Sequence, residues 1–315
     1  MKYSNLIIDL NNLFWRATVH SLSKIINSDT VDDNLFYSAT MSDCLDRFNQ
    51  LRSIYGDDNT TIYMLHDNPF SKISERELMD STYKHARKNK NIPSIFYKSF
   101  DRFIEILKVY INNLYIVSYS NCEADDLVLP VLNHIGDESV LMISADMDWA
   151  RSISEKCHWY NFSNIYSKDN FTEKYGFNPE NNGVKLYKAI HGDKSDCIEN
   201  AVPNLPKKVL YHIIDSYTDI YDLLNHIWRD EEIPKQWKHK IKDAEIQLKI
   251  NYQLVDFLPI DFDFNEIAIE AKENIIELRS WFDLMDMQKE NRMIDPKKDA
   301  HSFLERKKYK RIVSV

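Results

Sequence analysis

The chain has 315 residues, 43% of them hydrophobic, with 15 Phe, 18 Tyr and 6 Trp, which suffices for a sizeable core. Only 5 Gly and 9 Pro exclude sandwiches, propellers and long flexible linkers, and favour a helix-rich domain with or without a subdomain. A formal net charge of −9 ordinarily counts against a nucleic-acid partner, but here the acids fall in groups and the basic residues cluster elsewhere.

The opening Met1–Asn5 enters a strand almost at once, so no signal peptide is expected, and no apolar run approaches a membrane span. Cys44, Cys122, Cys157 and Cys197 lack metal-type spacing and fit reduced thiols. The expectation is a cytoplasmic protein, in the host cytoplasm if phage-encoded, with no membrane association and monomeric.

In chain order, an apolar strand over 5–9 ends in Asp9, and Leu13, Phe14 and Trp15 read as the core-facing stripe of a following helix. A helical stretch covers 31–55. A strand over 61–65 then leads into His66 and Asp67. Residues 68–98 are charged and poor in aliphatics, with a basic run through Lys84, His85, Arg87, Lys88 and Lys90. A crossover helix packed on a sheet would be more apolar, so this composition suits a segment over a crevice mouth. A helix over 99–113 and a strand over 114–118 precede Glu123-Ala-Asp125-Asp126, which opens a helix over 123–135. The next strand, 139–143, is followed by Ser144-Ala-Asp146-Met-Asp148, and 157–167 reads as a strand or hairpin.

From about 169 the signal turns helical, over 185–190, 207–216, 218–228 and 236–250, with breaks at Pro203, Pro206 and Pro234. Trp149, Trp159 and Trp228 read as packing residues, and Lys297 to Arg311 form a basic tail. The alternation predicts a three-layer α/β fold with a mainly parallel central sheet. The expected division is an α/β body at 1–195 and a helical C-terminal subdomain at 196–315.

Residues just past the strand ends of an open parallel sheet converge on one crevice. Asp9, Asp67, Glu123, Asp125, Asp126, Asp146 and Asp148 occupy such positions, and Gly192-Asp193-Lys-Ser-Asp196 adds two more acids on one turn. Two carboxylates about 4 Å apart repel by roughly 4 kcal/mol at an effective dielectric near 20, so divalent cations with a taste for oxygen ligands are expected. Taken singly, the acidic helix start reads as capping by the helix dipole, and the Gly-Asp motif as an N-capped loop.

The order Asp9, Asp67, Glu-Ala-Asp-Asp at 123–126, Ser-x-Asp-x-Asp at 144–148 and Gly-Asp-x-x-Asp at 192–196 resembles the 5′-nuclease superfamily over roughly residues 5–215, with the phage RNase H and phage flap endonuclease branch nearest. The resemblance implies a PIN-like α/β fold with a helical arch at about 68–98 and 5′→3′ exonuclease or flap endonuclease activity. Asp9, Asp67, Glu123, Asp125 and Asp126 would serve a first Mg²⁺, and Asp146, Asp148, Asp193 and Asp196 a second, with Mn²⁺ as a substitute. Tyr83-Lys84-x-x-Arg87 matches the arch-base motif, which makes Lys84 and Arg87 the catalytic cations at the phosphate. Arg76, Tyr83, Lys88, Lys207 and Lys208 are the nucleic-acid-binding candidates. The implied substrates are DNA and RNA–DNA hybrids with a 5′ single-stranded end, during DNA replication, with a single-strand-binding protein as a conceivable partner.

One region departs from the family pattern. A glycine-rich helix-turn-helix is expected near 198–216, yet Ile198-Glu-Asn-Ala-Val-Pro-Asn-Leu-Pro-Lys-Lys208 has lost every turn glycine. Asn204 tolerates left-handed backbone, whereas Pro206 removes a donor. Two competing readings are a PIN-type ribonuclease, which lacks the basic arch motif, and a non-catalytic junction-binding protein. The intact acidic set argues against the second, because unpaired buried carboxylates are costly.

Overall fold

The computed structural model describes residues 1–25, 33–67, 75–85, 94–180, 182–259, 263–287 and 290. In chain order its elements begin with β1 (Asn5–Asp9), α1 (Leu10–Ile25), α2 (Asp33–Tyr55), β2 (Thr61–Leu65), α3 (Glu75–Met79), α4 (Ser94–Tyr110) and β3 (Leu114–Val117). They continue with α5 (Val128–Ile135), β4 (Val140–Ile143), β5 (Cys157–Tyr160), β6 (Ile165–Tyr166), α6 (Lys168–Tyr175), α7 (Gly183–His191) and α8 (Lys207–Ser216). The last are α9 (Ile220–His226), α10 (Lys235–Asp243), α11 (Glu245–Leu254), α12 (Phe264–Ile267), β7 (Ala268–Glu270) and α13 (Ile275–Leu284). Short 3₁₀ turns lie at Ala124–Leu127, Met147–Ser152 and Ile227–Arg229.

The chain divides into two compact units, one of 1–66, 92–117 and 264–315, the other of 67–91 and 118–263. In the first, β1 pairs in parallel with β2 and β2 with β3, and β7 closes on β3 in antiparallel sense. Every residue of β1 is buried, the pattern of a parallel strand covered on both faces. Its aromatic core gathers Phe103 and Phe100 of α4 around Phe14 of α1, with ring centroids 5.9 and 5.1 Å away. In the second unit, β4 pairs in parallel with β5, and β5 turns back on β6 as a hairpin. Trp159 stacks on Tyr166 at 5.2 Å, and its indole donates to the Ser144 carbonyl at 2.8 Å.

The α/β class and the dominance of parallel pairing match the sequence reading, and strand starts at Asn5 and Thr61 coincide with it. Four details differ. Trp15 is 42% exposed while Leu13 and Phe14 are buried, because at about 100° per residue three in a row span about 200°, more than one buried face can cover. Trp228 is also largely exposed, at 47%, whereas Trp149 and Trp159 are buried as expected. The helix foreseen over 236–250 is two, since Ala244 leaves helical geometry at ψ 7°. The antiparallel strand β7 is three residues long and mostly exposed, too short to carry a periodic signal.

Of the expected arch, residues 68–74 and 86–93 lie outside the described residues, as does the basic tail. Among the described residues, no helix is long and apolar enough to cross a membrane. Removing the Phe103 ring, which is fully buried against Phe14, leaves a cavity that Phe100 and Phe14 cannot close. Phe103→Ala is therefore expected to cost about 3–5 kcal/mol in urea unfolding; a loss below about 1 kcal/mol would contradict this packing.

Candidate metal centre

The acidic residues of the second unit sit where short elements start, so local backbone geometry aims their side chains. Asp146 precedes the 3₁₀ turn at 147–152 and accepts the Asp148 amide at 3.0 Å, a capping arrangement that fixes both carboxylates. Asp67 accepts the Ala124 amide at 2.8 Å, which pins the start of the Glu123 segment. Asp193 follows Gly192, whose φ of +80° suits glycine, and a Cβ there would lie 2.6 Å from the Ile198 carbonyl. A two-way backbone bridge between Asp193 and Ile198 closes this loop at 2.9 and 2.8 Å. Ser195 donates its amide and hydroxyl to Asp193 at 2.8 and 2.6 Å.

These elements bring carboxylates together in two overlapping triples. Asp125, Asp146 and Asp148 each offer an oxygen within 4.8 Å of the others, and so do Asp148, Asp193 and Asp196. Asp148 belongs to both. Its Oδ1 is buried and has no hydrogen-bond partner among the described residues, while Oδ2 meets the Lys188 ammonium at 2.7 Å. A buried carboxylate oxygen left bare is expensive, and a cation is the remedy that suits it. The donors are all oxygens, which fits a hard divalent ion such as Mg²⁺, Mn²⁺ or Ca²⁺.

Lys188 of α7 lies 6% exposed in the middle of this group, 3.3 Å from Asp146, 2.7 Å from Asp148 and 2.8 Å from Asp193. Burial alone would lower its pKa, but the three carboxylates push it well above the ordinary lysine range. The carboxylates answer in kind. Burial works to raise Asp193, yet Lys188 and Ser195 bring it down to about 2. Asp146 is likewise lowered against burial by Lys188. Asp148 is raised, because its burial outweighs Lys188 and Asp146 adds repulsion.

A second set of acids is already satisfied. Asp126 is 1% exposed; Arg76 donates to both its oxygens, and the Glu123 and Leu258 amides donate at 3.0 and 2.9 Å. Glu123 accepts Arg76 at 3.1 Å, the Tyr83 hydroxyl at 3.2 Å and Lys84 at 2.7 Å. Burial would raise Glu123, but Lys84 and Arg76 hold it below the usual carboxylate range. Arg76 also donates to the Asp256 carbonyl, and Asp256 in turn pairs with Arg151 at 2.9 Å and Lys185 at 2.5 Å.

The structure thus places the expected residues unevenly. Asp125, Asp146, Asp148, Asp193 and Asp196 come together. Asp126 spends its oxygens on Arg76 and backbone amides. Arg76 and Tyr83, both expected to meet nucleic acid, are each 3% exposed, Arg76 among carboxylates and Tyr83 with burial raising its phenol. Lys84 sits at φ 51°, its amide on the Asp196 carbonyl at 2.9 Å. Arg87 and Lys88 lie outside the described residues. Asp9 ends β1 in the first unit, where it accepts the Asn12 amide at 2.9 Å. Lys207 and Lys208 open α8 and are exposed.

Sequence reasoning passed over Lys188 and Asp256. The signal for Lys188 was its place in Lys185-Leu-Tyr-Lys188, on a mostly apolar helix running straight into Gly192-Asp193. Asp256 carried no signal, since its partners come from distant segments.

A family model described as the 5′-3′ exonuclease N-terminal resolvase-like domain matches residues 4–176. The chain belongs to this 5′→3′ exonuclease family. Among solved structures, the bacteriophage T5 D15 protein co-crystallised with metal ions aligns with TM-score 0.60 and 19% identity over 96% of this chain and 99% of that one. A T5 D15 flap endonuclease variant, in a pseudo-enzyme-product complex with DNA and metal ions, gives 0.59 and 19% over 96% and 99%. The T5 5′-exonuclease with bound zinc gives 0.58 and 19% over 96% and 100%. At this identity the likeness is one of fold. No curated protein matches the chain.

If Lys188 is the internal counter-ion of the carboxylate cluster, Lys188→Met should lower the melting temperature by several degrees in EDTA. Millimolar Mg²⁺ should then stabilise the variant more than the parent chain, because a divalent ion replaces the lost charge. Equal Mg²⁺ shifts in both proteins would contradict that role.

Proposed function

We propose that the chain is a divalent-metal-dependent 5′→3′ nuclease that hydrolyses phosphodiester bonds near 5′ ends. The observation that carries this reading is Asp148, shared by both carboxylate triples and bearing a buried oxygen without a partner among the described residues. Family membership supports the same reaction class. Two ions are assigned, Mg²⁺ by preference: one on Asp125, Asp146 and Asp148, one on Asp148, Asp193 and Asp196. Asp67 and Glu123 are assigned as outer ligands acting through water. Such ions, when bound, supply an activated water and charge neutralisation at the phosphate and the leaving 3′ oxygen.

The side chains of the chain itself do the rest. Lys84 lies within reach of Glu123 and would neutralise charge developing on the scissile phosphate, with Arg87 as its bidentate companion. Arg76 holds Glu123 and Asp126 in place, so that Lys84 has a fixed partner from which to turn. Tyr83 tightens the same carboxylate through its hydroxyl. Lys207 and Lys208, with Lys88, are assigned to the phosphates of the duplex. The T5 D15 flap endonuclease variant was crystallised with DNA and metal ions; the substrates assigned to this chain are DNA as 5′ flaps and nicked duplex, and RNA–DNA hybrids met during replication.

The reading is tested on 5′-labelled flap, nicked-duplex and hybrid substrates. Cleavage should require Mg²⁺ or Mn²⁺ and stop in EDTA. Lys84→Ala should lower kcat by about 10²–10³-fold, the usual loss for one charge-stabilising donor, while duplex affinity stays within twofold. No cleavage of any substrate at millimolar Mg²⁺ would overturn the reading, and equal losses in kcat and affinity would move Lys84 from chemistry to general binding.

A further inference from the structure

The second unit holds a cavity of about 300 Å³ whose lining includes none of the clustered carboxylates; it is walled by Tyr187 and His191 of α7, Asn204 and Val202 of the following loop, and Lys207 and Tyr211 of α8. Its wall is aromatic by construction. Phe177 stacks on Tyr187 at 5.0 Å and 13°, and Tyr187 stacks on His191 at 5.1 Å and 15°. The column starts at Phe177, which is 1% exposed, and ends in the exposed ring of His191. Tyr211 adds a third ring to the wall, its position fixed by Gly176. A Cβ at Gly176 would lie 2.6 Å from the Tyr211 ring, so only glycine leaves room for it. Burial raises the Tyr187 phenol, with Tyr211 beside it, so it stays a neutral donor at ordinary pH.

The opening of the cavity is polar. Asn204 stands at φ 63°, the left-handed geometry foreseen for it, and Lys207 supplies a cation at the first position of α8. Parallel rings, side-chain amides and a cation within one small concavity form a complement to a planar heterocycle carrying a phosphate. The volume sits at the small end of ligand sites, which suits one such unit rather than a length of strand.

We propose that this cavity binds a single nucleotide unit, its base on the Tyr187–His191 column and its phosphate at Lys207. The choice of ligand class rests on the nucleic-acid reading above. The unit comes either from a free 5′-mononucleotide, such as a cleavage product, or from an unpaired nucleotide in a bound strand. The site would keep the chain on its substrate or product through contacts that do not involve the clustered carboxylates.

The test uses the full chain in EDTA, which silences cleavage, and isothermal titration with deoxyadenosine 5′-monophosphate, deoxyadenosine, inorganic phosphate, and a duplex with one unpaired adenosine beside its fully paired control. The nucleotide should bind; His191→Ala should weaken it about tenfold through lost stacking, and His191→Phe should restore it. Lys207→Ala should weaken the nucleotide but not the nucleoside. Stronger binding of the duplex with the unpaired base, lost in His191→Ala, assigns the strand as the source; binding of the free nucleotide alone assigns the product. Either result supports the site. No nucleotide binding, or phosphate binding equally well with His191→Ala without effect, overturns it. Metal-dependent cleavage measured in parallel separates the outcomes: active enzyme without nucleotide binding sinks only this site, and nucleotide binding without cleavage sinks only the nuclease reading.

Discussion

Carboxylates gathered by folding must be matched by positive charge, and in the second unit the chain supplies much of that charge itself. Lys188 alone meets three of them, and Arg76 with Lys84 meets two more. A pair of unit charges at 4 Å is worth about 4 kcal/mol in a surface-like dielectric and more when buried, so these contacts decide whether the unit holds together without metal. They also sort the acids. Asp126 is saturated by Arg76 and amides and serves as an anchor; Asp148 keeps a bare buried oxygen and serves as a socket.

The anchor explains how remote segments are registered. Arg76 of α3 reaches Asp126 at the start of the Ala124–Leu127 turn and the Asp256 carbonyl after α11. Asp256 holds Arg151 and Lys185, and Lys185 lies one turn before Lys188 on α7. Buried Asn251 adds a neutral tie, donating to the Ala189 and Glu199 carbonyls at 2.9 and 2.8 Å. The helix carrying the central ammonium is thereby fixed on both sides, and a displaced α7 would carry Lys188 out of reach of its carboxylates.

Much of this was legible in the sequence. Apolar runs such as Asn5-Leu-Ile-Ile-Asp9 and Val140-Leu-Met-Ile143 could only be buried strands, and the acids placed after them share a reason for being there. What stayed hidden is pairing at a distance. The family resemblance assigned Arg76 to nucleic acid and gave no sign of its partners 47 and 50 residues on. Nor did the motif show that the Tyr83 ring is buried and its hydroxyl donates to Glu123. Lys188 shows that a charged residue on an apolar helix is informative when a Gly-Asp turn follows it. Asn204 was readable from residue type alone, since few side chains accept φ 63°.

The claim on which the account rests is that Asp148 is common to two ion sites. Mn²⁺ binding followed by electron paramagnetic resonance counts the ions directly. The account predicts two Mn²⁺ per chain and a weakening of both by Asp148→Asn, with Asp193→Asn weakening only one. A single Mn²⁺ per chain, or two that survive Asp148→Asn unchanged, would contradict it.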